Sequence, residues 1–236
     1  EFLSAGVCGE CFRVDRETIV KLYKEGIDPQ IAEQEKQFAK AAFVLGIPTA
    51  ISYDVVRCGT RTGVVYEMLD AELFSTVIIR EPQHLDRHAR TLAGIARTVN
   101  SIKGDPALLP DLKRRFREYI DQMGFFLSEQ DVAYLQRRLD TIPDADTCVH
   151  FDLHSSNIMI RDGEPVIIDM GDLSLGSYLF DVGLLYTIYG LPEVGLSARA
   201  TKIPIEMGVQ LWEGFFTHYF ADKPASEREW FLRNRY

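Results

Sequence analysis

Long apolar runs are missing from this chain, as are an excess of basic charge and cysteines in any number. No stretch of about 18 apolar residues occurs, so no segment is suited to cross a bilayer as a helix. The first residues also lack the charged and apolar pattern of a secretory signal. Lys and Arg number 26 against 35 Asp and Glu, a formal net charge of -9. That balance argues against non-specific nucleic-acid binding and against docking on anionic lipid, and it mildly favours a cationic substrate. The 4 cysteines, Cys8, Cys11, Cys58 and Cys148, are too few and too scattered for a disulfide framework. Cys8 and Cys11 form a C-x-x-C, but no second pair and no nearby His completes a zinc site. Repeats and low-complexity tracts are absent too. These readings place the protein in the cytoplasm, with neither a membrane nor a nucleic-acid partner.

What is there suffices for a packed core. The chain has 236 residues, 46% hydrophobic and 26% charged, which suits one domain or one domain split into two lobes. Glu1 opens almost directly into a strand and Tyr236 closes a helical pattern, so both ends read as clipped from a longer chain.

The first part of the chain reads as β. Cys11–Val14 and Thr18–Tyr23 are β-rich runs joined by the turn Asp15-Arg16-Glu17. A helix follows, with Asp28 as N-cap, Pro29 at its first position and Gly46 at its C-terminal end. Two more strands are expected near 50–56 and 63–68. From about residue 83 the apolar period becomes helical, with helices expected near 83–103, 110–124 and 128–139. Two short apolar runs, Ile158–Ile160 and Val166–Ile168, flank Arg161-Asp162-Gly163-Glu164 and predict a hairpin. Helices return near 178–190, 203–220 and 225–235. The fold class is therefore α+β, with a small antiparallel sheet first and a mainly helical part after it. The division is expected at residues 1–69 and 70–236.

The densest chemical signal is His150-Phe151-Asp152-Leu153-His154-Ser155-Ser156-Asn157, which fits H-x-D-L-x-x-x-N ahead of a short strand. An Asp held in such a loop can accept the proton of an attacking hydroxyl, and Asn157 can turn its amide oxygen toward a metal. Both residue types also cap ordinary turns. After the hairpin comes Ile167-Ile168-Asp169-Met170-Gly171-Asp172. A carboxylate closing a buried strand is costly unless a charge meets it. The hairpin returns Asp169 to the neighbourhood of Asn157, so the two supply a pair of hard oxygen ligands. On the helix after Asp28, Ile31, Glu35, Phe38, Ala42 and Leu45 share one face. An unpaired Glu35 on that apolar stripe would be expensive, and a Lys21–Glu35 pair removes the anomaly.

These segments resemble the catalytic and metal-binding loops of the aminoglycoside phosphotransferase and choline kinase group within the protein-kinase-like superfamily. The sequence departs from the common form at Phe151, where Gly is usual, and at Met170, where an aromatic is usual. The resemblance implies a two-lobed kinase-like fold and an ATP- and Mg²⁺-dependent transfer of phosphoryl to a small molecule. Asp152 would be the catalytic base, and Asn157 and Asp169 the metal ligands. Lys21 would contact phosphates and Glu35 would orient Lys21. Gly6 and Gly9 match the family's degenerate glycine-rich loop, whose backbone can approach phosphates closely. Glu67 and Met68 fall where the family links its lobes and holds the adenine edge. Asp181 matches the residue at a helix start that braces the catalytic loop, an alternative being a simple N-cap. His154 is expected to shape the loop, and His84 and His88 to be solvated.

Only 12 positions separate Asp169 from Asp181, too few for the long activation segment of a protein kinase. A small hydroxyl-bearing acceptor, cationic by preference, is therefore expected in the helical part. Asp172, Tyr186, Tyr189, Glu206, Trp212 and Glu213 are acidic and aromatic residues suited to it, although packing alone also explains residues such as Trp212. The alternatives are a protein kinase-like activity, a non-catalytic pseudokinase and an adenylyl-transferring variant. Intact Lys21, Glu35, Asp152, Asn157 and Asp169 speak against the pseudokinase.

Overall fold

The structure is a computed structural model that describes residues 1–235, so the expectation at Tyr236 lies outside the described residues. Strands β1 (Phe2–Ala5), β2 (Gly9–Arg13) and β3 (Thr18–Tyr23) precede helix α1 (Gln30–Val44). Strands β4 (Ser52–Cys58) and β5 (Arg61–Glu67) complete an antiparallel five-stranded sheet of order β1-β2-β3-β5-β4. Central β3 carries the alternation Ile19, Lys21, Tyr23, which puts these three side chains on one face. α1 packs on the sheet and starts one residue later than expected. Asp28 nevertheless accepts a hydrogen bond from Gln30 N at 2.9 Å, and Gly46 closes the helix with φ +82°.

The inward face of α1 differs in one position from the expected stripe. Ile31 is exposed, and Ala32 takes the buried place beside Glu35, Phe38, Ala39 and Ala42. Small residues here let α1 approach the sheet and the turn at Met170–Asp172, which carries the second motif.

The remainder is mainly helical. Strand β6 (Glu72–Leu73) leads into α2 (Phe74–Arg80), followed by α3 (Leu85–Ser101), α4 (Leu112–Met123) and α5 (Glu129–Asp140). Strand β7 (Cys148–Val149), the hairpin β8 (Ile158–Arg161) and β9 (Glu164–Ile167), and β10 (Ser174–Leu175) carry both motifs. Helices α6 (Leu179–Leu185), α7 (Ile205–Tyr219) and α8 (Ala225–Asn234) follow, with π-helical turns at Tyr186–Gly190 and Ser197–Thr201. In the hairpin, Arg161 pairs with Glu164 across a two-residue turn. Asp162 and Gly163 both have positive φ, at 53° and 85°, which the twist of a tight hairpin demands. Pairing of Ile158 with Ile167 then fixes the ends of the two motifs side by side.

One large core holds this part together, with α3 and α7 packed along each other. Tyr186, Tyr189 and Trp212 are buried in it, so packing explains these three rather than acceptor binding. His88 is a correction as well. It is 3% exposed on the inner face of α3, with its ring edge-to-face on Phe74, and not solvated.

Candidate active site

Two strands and a helix position the first half of the site. Lys21 stands opposite Val64 of β5, and α1 carries Glu35 over the same sheet face. Lys21 Nζ lies 3.0 and 2.9 Å from the two Glu35 oxygens and 2.7 Å from Asp169 Oδ1. Burial alone would lower the Lys21 pKa, but the Glu35 and Asp169 carboxylates outweigh it and hold the ammonium charged. Asp169 shows the same competition. Burial, the largest single influence, pushes its carboxyl up, but Lys21 with His150 and His154 together outweigh it, and the net displacement is downward. Residues 148 positions apart in sequence thus form one charged cluster.

Two members of that cluster are absent from the expected set. Tyr66 OH donates to Glu35 Oε1 at 2.6 Å, and Tyr23 OH donates to Oε2. The strand period carries a signal for both. Tyr23 is two residues from Lys21 on the same face, and Tyr66 is paired with Ile19 on that face.

The H-x-D loop is held from below. Asp181 is fully buried and accepts hydrogen bonds from Phe151 N at 2.8 Å, His150 N at 3.2 Å and Asn100 Nδ2 at 2.7 Å. Its carboxyl is pushed up to about 6, chiefly by burial, against the pull of those donors. Asp181 is therefore a brace for the loop; it lies within the first turn of α6 rather than at its N-cap. His150 is buried, and burial drives its pKa down to about 4, so the ring is neutral. Its Nδ1 accepts from Asp152 N at 3.2 Å, and its Nε2 lies 3.2 Å from the Ile168 carbonyl. His154 shapes the loop, accepting from Ser156 N at 3.2 Å.

Asn157 Nδ2 donates to Asp152 Oδ2 at 2.7 Å and to the Asp152 carbonyl at 2.9 Å. Asp152 is pushed up to about 7, first by burial and then by the negative charges of Asp169 and Asp172, while Asn157 and Lys21 act in the opposite sense. A carboxylate that titrates near neutrality is well matched to taking a proton from a hydroxyl. Asp172 is exposed, lies 3.5 Å from Arg115 of α4 and is close enough to Asp152 for its charge to push that carboxyl up. Glu206 and Glu213 are not buried, and both lie on α7.

The donor set near Asp169 fits a hard divalent cation. With its amide nitrogen committed to Asp152, Asn157 directs Oδ1 elsewhere, and no hydrogen bond to Oδ1 forms among the described residues. Asp169 likewise uses only Oδ1 for Lys21. One amide oxygen and one carboxylate oxygen match a Mg²⁺ that keeps waters and takes its other ligands from phosphates. Among the described residues no group of three or more His, Cys, Asp or Glu is arranged as a metal cage, Cys8 and Cys11 included.

The remaining expected residues lie in the first sheet. Gly6 and Gly9 close the β1–β2 turn, Gly6 N donating to the Gly9 carbonyl at 2.8 Å. A Cβ on Gly9 would stand 2.8 Å from the Leu22 carbonyl, so this glycine is required by strand packing as well. Glu67 Oε1 accepts from Ile51 N at 2.9 Å, and Met68 N donates to the Glu17 carbonyl at 2.6 Å. Neither bonds to the Lys21 cluster among the described residues.

Comparison with known proteins bears on the arrangement. The model of the phosphotransferase enzyme family matches residues 9–220. No curated protein sequence matches the chain. Among solved structures, an aminoglycoside-3'-phosphotransferase of type VIII is similar with TM-score 0.66 and 18% identity, over 100% of this chain and 92% of the other. Aminoglycoside phosphotransferase APH(3'')-Id from Streptomyces rimosus gives 0.62 and 18%, covering 100% and 90%. A streptomycin–ATP–APH(2")-IIa ternary complex gives 0.56 and 17%, covering 99% and 81%. These likenesses show a kinase-like fold. Among the described residues no helix is long and apolar enough to cross a membrane.

Proposed function

The chain belongs to the phosphotransferase enzyme family, and we propose that it transfers the γ-phosphoryl of ATP to a hydroxyl of a small molecule. The observation that carries this reading is the convergence of Lys21 and Asp169 at 2.7 Å, beside an Asp152–Asn157 pair at 2.7 Å. Phosphoryl transfer asks mainly for positioned charge, and this cluster supplies it.

In this reading residues 1–69 form the nucleotide lobe and residues 70–236 the catalytic and acceptor lobe. The backbone of Gly6 and Gly9 approaches the phosphates, and Glu67 and Met68 border the adenine. Lys21, oriented by Glu35, holds the triphosphate. Asn157 and Asp169 hold Mg²⁺, which when bound neutralises charge on the phosphates. Asp152 accepts the proton of the acceptor hydroxyl and orients its oxygen. Asp172 adds a negative wall on the acceptor side, which suits an amine-bearing acceptor of aminoglycoside, choline or sugar type. Similar structures bound to streptomycin and gentamicin support that class.

Two experiments test this. Mg·ATP should raise the melting temperature, because a ligand that binds only the folded chain stabilises it by mass action. Aminoglycosides, choline-like amines and simple sugars should then be screened for ADP release. No melting shift at millimolar Mg·ATP would count against the reading, and release of pyrophosphate with AMP carried onto the acceptor, in place of ADP release, would replace it with adenylyl transfer.

A further inference from the structure

Glu35 is held by more than its lysine. Each of its oxygens takes one N–H contact from Lys21, at 3.0 and 2.9 Å, and one phenol, Tyr66 on Oε1 and Tyr23 on Oε2. The carboxylate is 3% exposed, so water does not share in satisfying it. A buried carboxylate with only a lysine would keep unmatched lone pairs and drift toward other donors. Here the extra donors are side chains of two neighbouring strands. Burial first, and then the Glu35 charge, push both phenol pKa values up, so both stay protonated donors at neutral pH.

The phenols are themselves fixed. The Tyr23 ring is buried with Ala32 and Val64, and the Tyr66 ring packs on that cluster and on Ala50, Leu69 and Val166. Rotation or sliding of α1 would therefore break both phenol bonds together with the lysine pair. Lys21 has one N–H left after Glu35, and it points at Asp169.

We propose that Tyr23 and Tyr66 are positioning residues for the nucleotide: their hydroxyls lock Glu35, and through it hold Lys21 beside Asp169 at the proposed phosphate site, before any ligand arrives. This rests on the nucleotide-dependent reading above. In protein kinases the corresponding ion pair is controlled by the position of its helix. The two phenols remove that freedom here and leave the pair permanently assembled.

The test compares Tyr66→Phe, Tyr23→Phe and the double variant, each with Glu35 intact and with Glu35→Gln. Losing one charge-assisted bond should weaken Mg·ATP binding by about tenfold in calorimetry. The nucleotide KM should rise with it, and kcat should fall by less than about threefold. In the Glu35→Gln background the same tyrosine changes should add little, because they act through Glu35. Without nucleotide, amide hydrogen exchange in α1 should speed up relative to the rest of the chain. An unchanged Mg·ATP affinity in the double variant would overturn the proposal, as would equal losses with and without Glu35. Should a variant melt too low for kinetics, unchanged relative exchange of α1 below its transition overturns it as well. Failure of the unaltered chain to bind Mg·ATP would sink the functional reading itself, a separate result.

Discussion

Replacing Asp152 by Asn separates chemistry from stability in a way the geometry makes quantitative. The amide keeps the shape of the carboxylate and can still accept from Asn157 Nδ2, now 2.7 Å from Oδ2. What it loses is the proposed base. A positioned general base contributes ~10²–10⁴-fold in rate, or about 3–5 kcal/mol of barrier. The same carboxylate costs stability. Its pKa stands at about 7 in the folded chain against an ordinary 3.8, so the charged form is penalised by at most ~4 kcal/mol. The side chain is 41% exposed, and solvent screening reduces this to about 1–2 kcal/mol. The sign follows from a raised carboxylate pKa. The unaltered chain and the Asp152→Asn variant should melt alike near pH 4, and the unaltered chain should lose ground as pH rises from about 4 to about 7. At pH 8 Asp152→Asn should therefore melt higher, by about 2–8 °C at 2–4 °C per kcal/mol for a chain of this size. Melting curves at both pH values and steady-state kinetics read the two quantities. Near-normal kcat in Asp152→Asn would refute the base, and a lower melting temperature at pH 8 would refute the electrostatic argument.

Further outcomes follow from the neighbours of Asp152. Asp169→Asn removes both the 2.7 Å partner of Lys21 and the proposed charged metal ligand, so Mg²⁺-dependent nucleotide affinity and kcat should fall together, as measured by titration with and without Mg²⁺. Activity that needs ionised Asp152 should rise with pH through about 7, and Asp172→Asn should move that limb to lower pH by removing a negative neighbour, as read from a pH–rate profile. Asp181→Ala strands the buried donors Asn100 Nδ2, His150 N and Phe151 N. It should cost about 3–5 kcal/mol, or roughly 10 °C in a thermal melt.

Much of the fold is legible in the sequence because local and global signals agree. The Asp162-Gly163 turn, the change from strand to helix period and the Asp28 contact to Gln30 N at the start of α1 each have a short-range cause. Glu35 on an apolar stripe points to Lys21 without any coordinates. The misses share a different origin. α2 spans seven residues, Phe74–Arg80, and is rich in β-branched side chains, so neither length nor propensity marks it as helical. The inward place of Ala32 over Ile31 depends on how closely α1 meets its neighbours, which hydrophobicity does not encode. The residue type of His88 suggests a solvated side chain, yet packing against Phe74 buries it. The phenols on Glu35 require strand register, because Tyr66 meets the site only through its pairing with Ile19.

The two motifs also share a backbone feature that ties the site to the fold. Phe151 and Asp169 both adopt left-handed φ, 59° and 64°, although neither is glycine. Such residues carry of order 1–2 kcal/mol of strain each, more readily tolerated by Asp than by an aromatic. Each is held by bonds its neighbours supply. Phe151 N donates to buried Asp181, and the ring meets Phe116 at 5.2 Å and Phe180 at 6.3 Å. Asp169 is held by Lys21 across the sheet–helix junction. The left-handed turn at Phe151 precedes Asp152 directly, so the orientation of the candidate base depends on a conformation that the aromatic cluster and Asp181 together maintain. A glycine there would relax the strain at no steric cost, but it would also give up the contacts that bind the loop to α4 and α6. The phenylalanine thus exchanges conformational ease for a loop packed against two helices, and the rigidity gained falls on the residue whose placement the chemistry needs most.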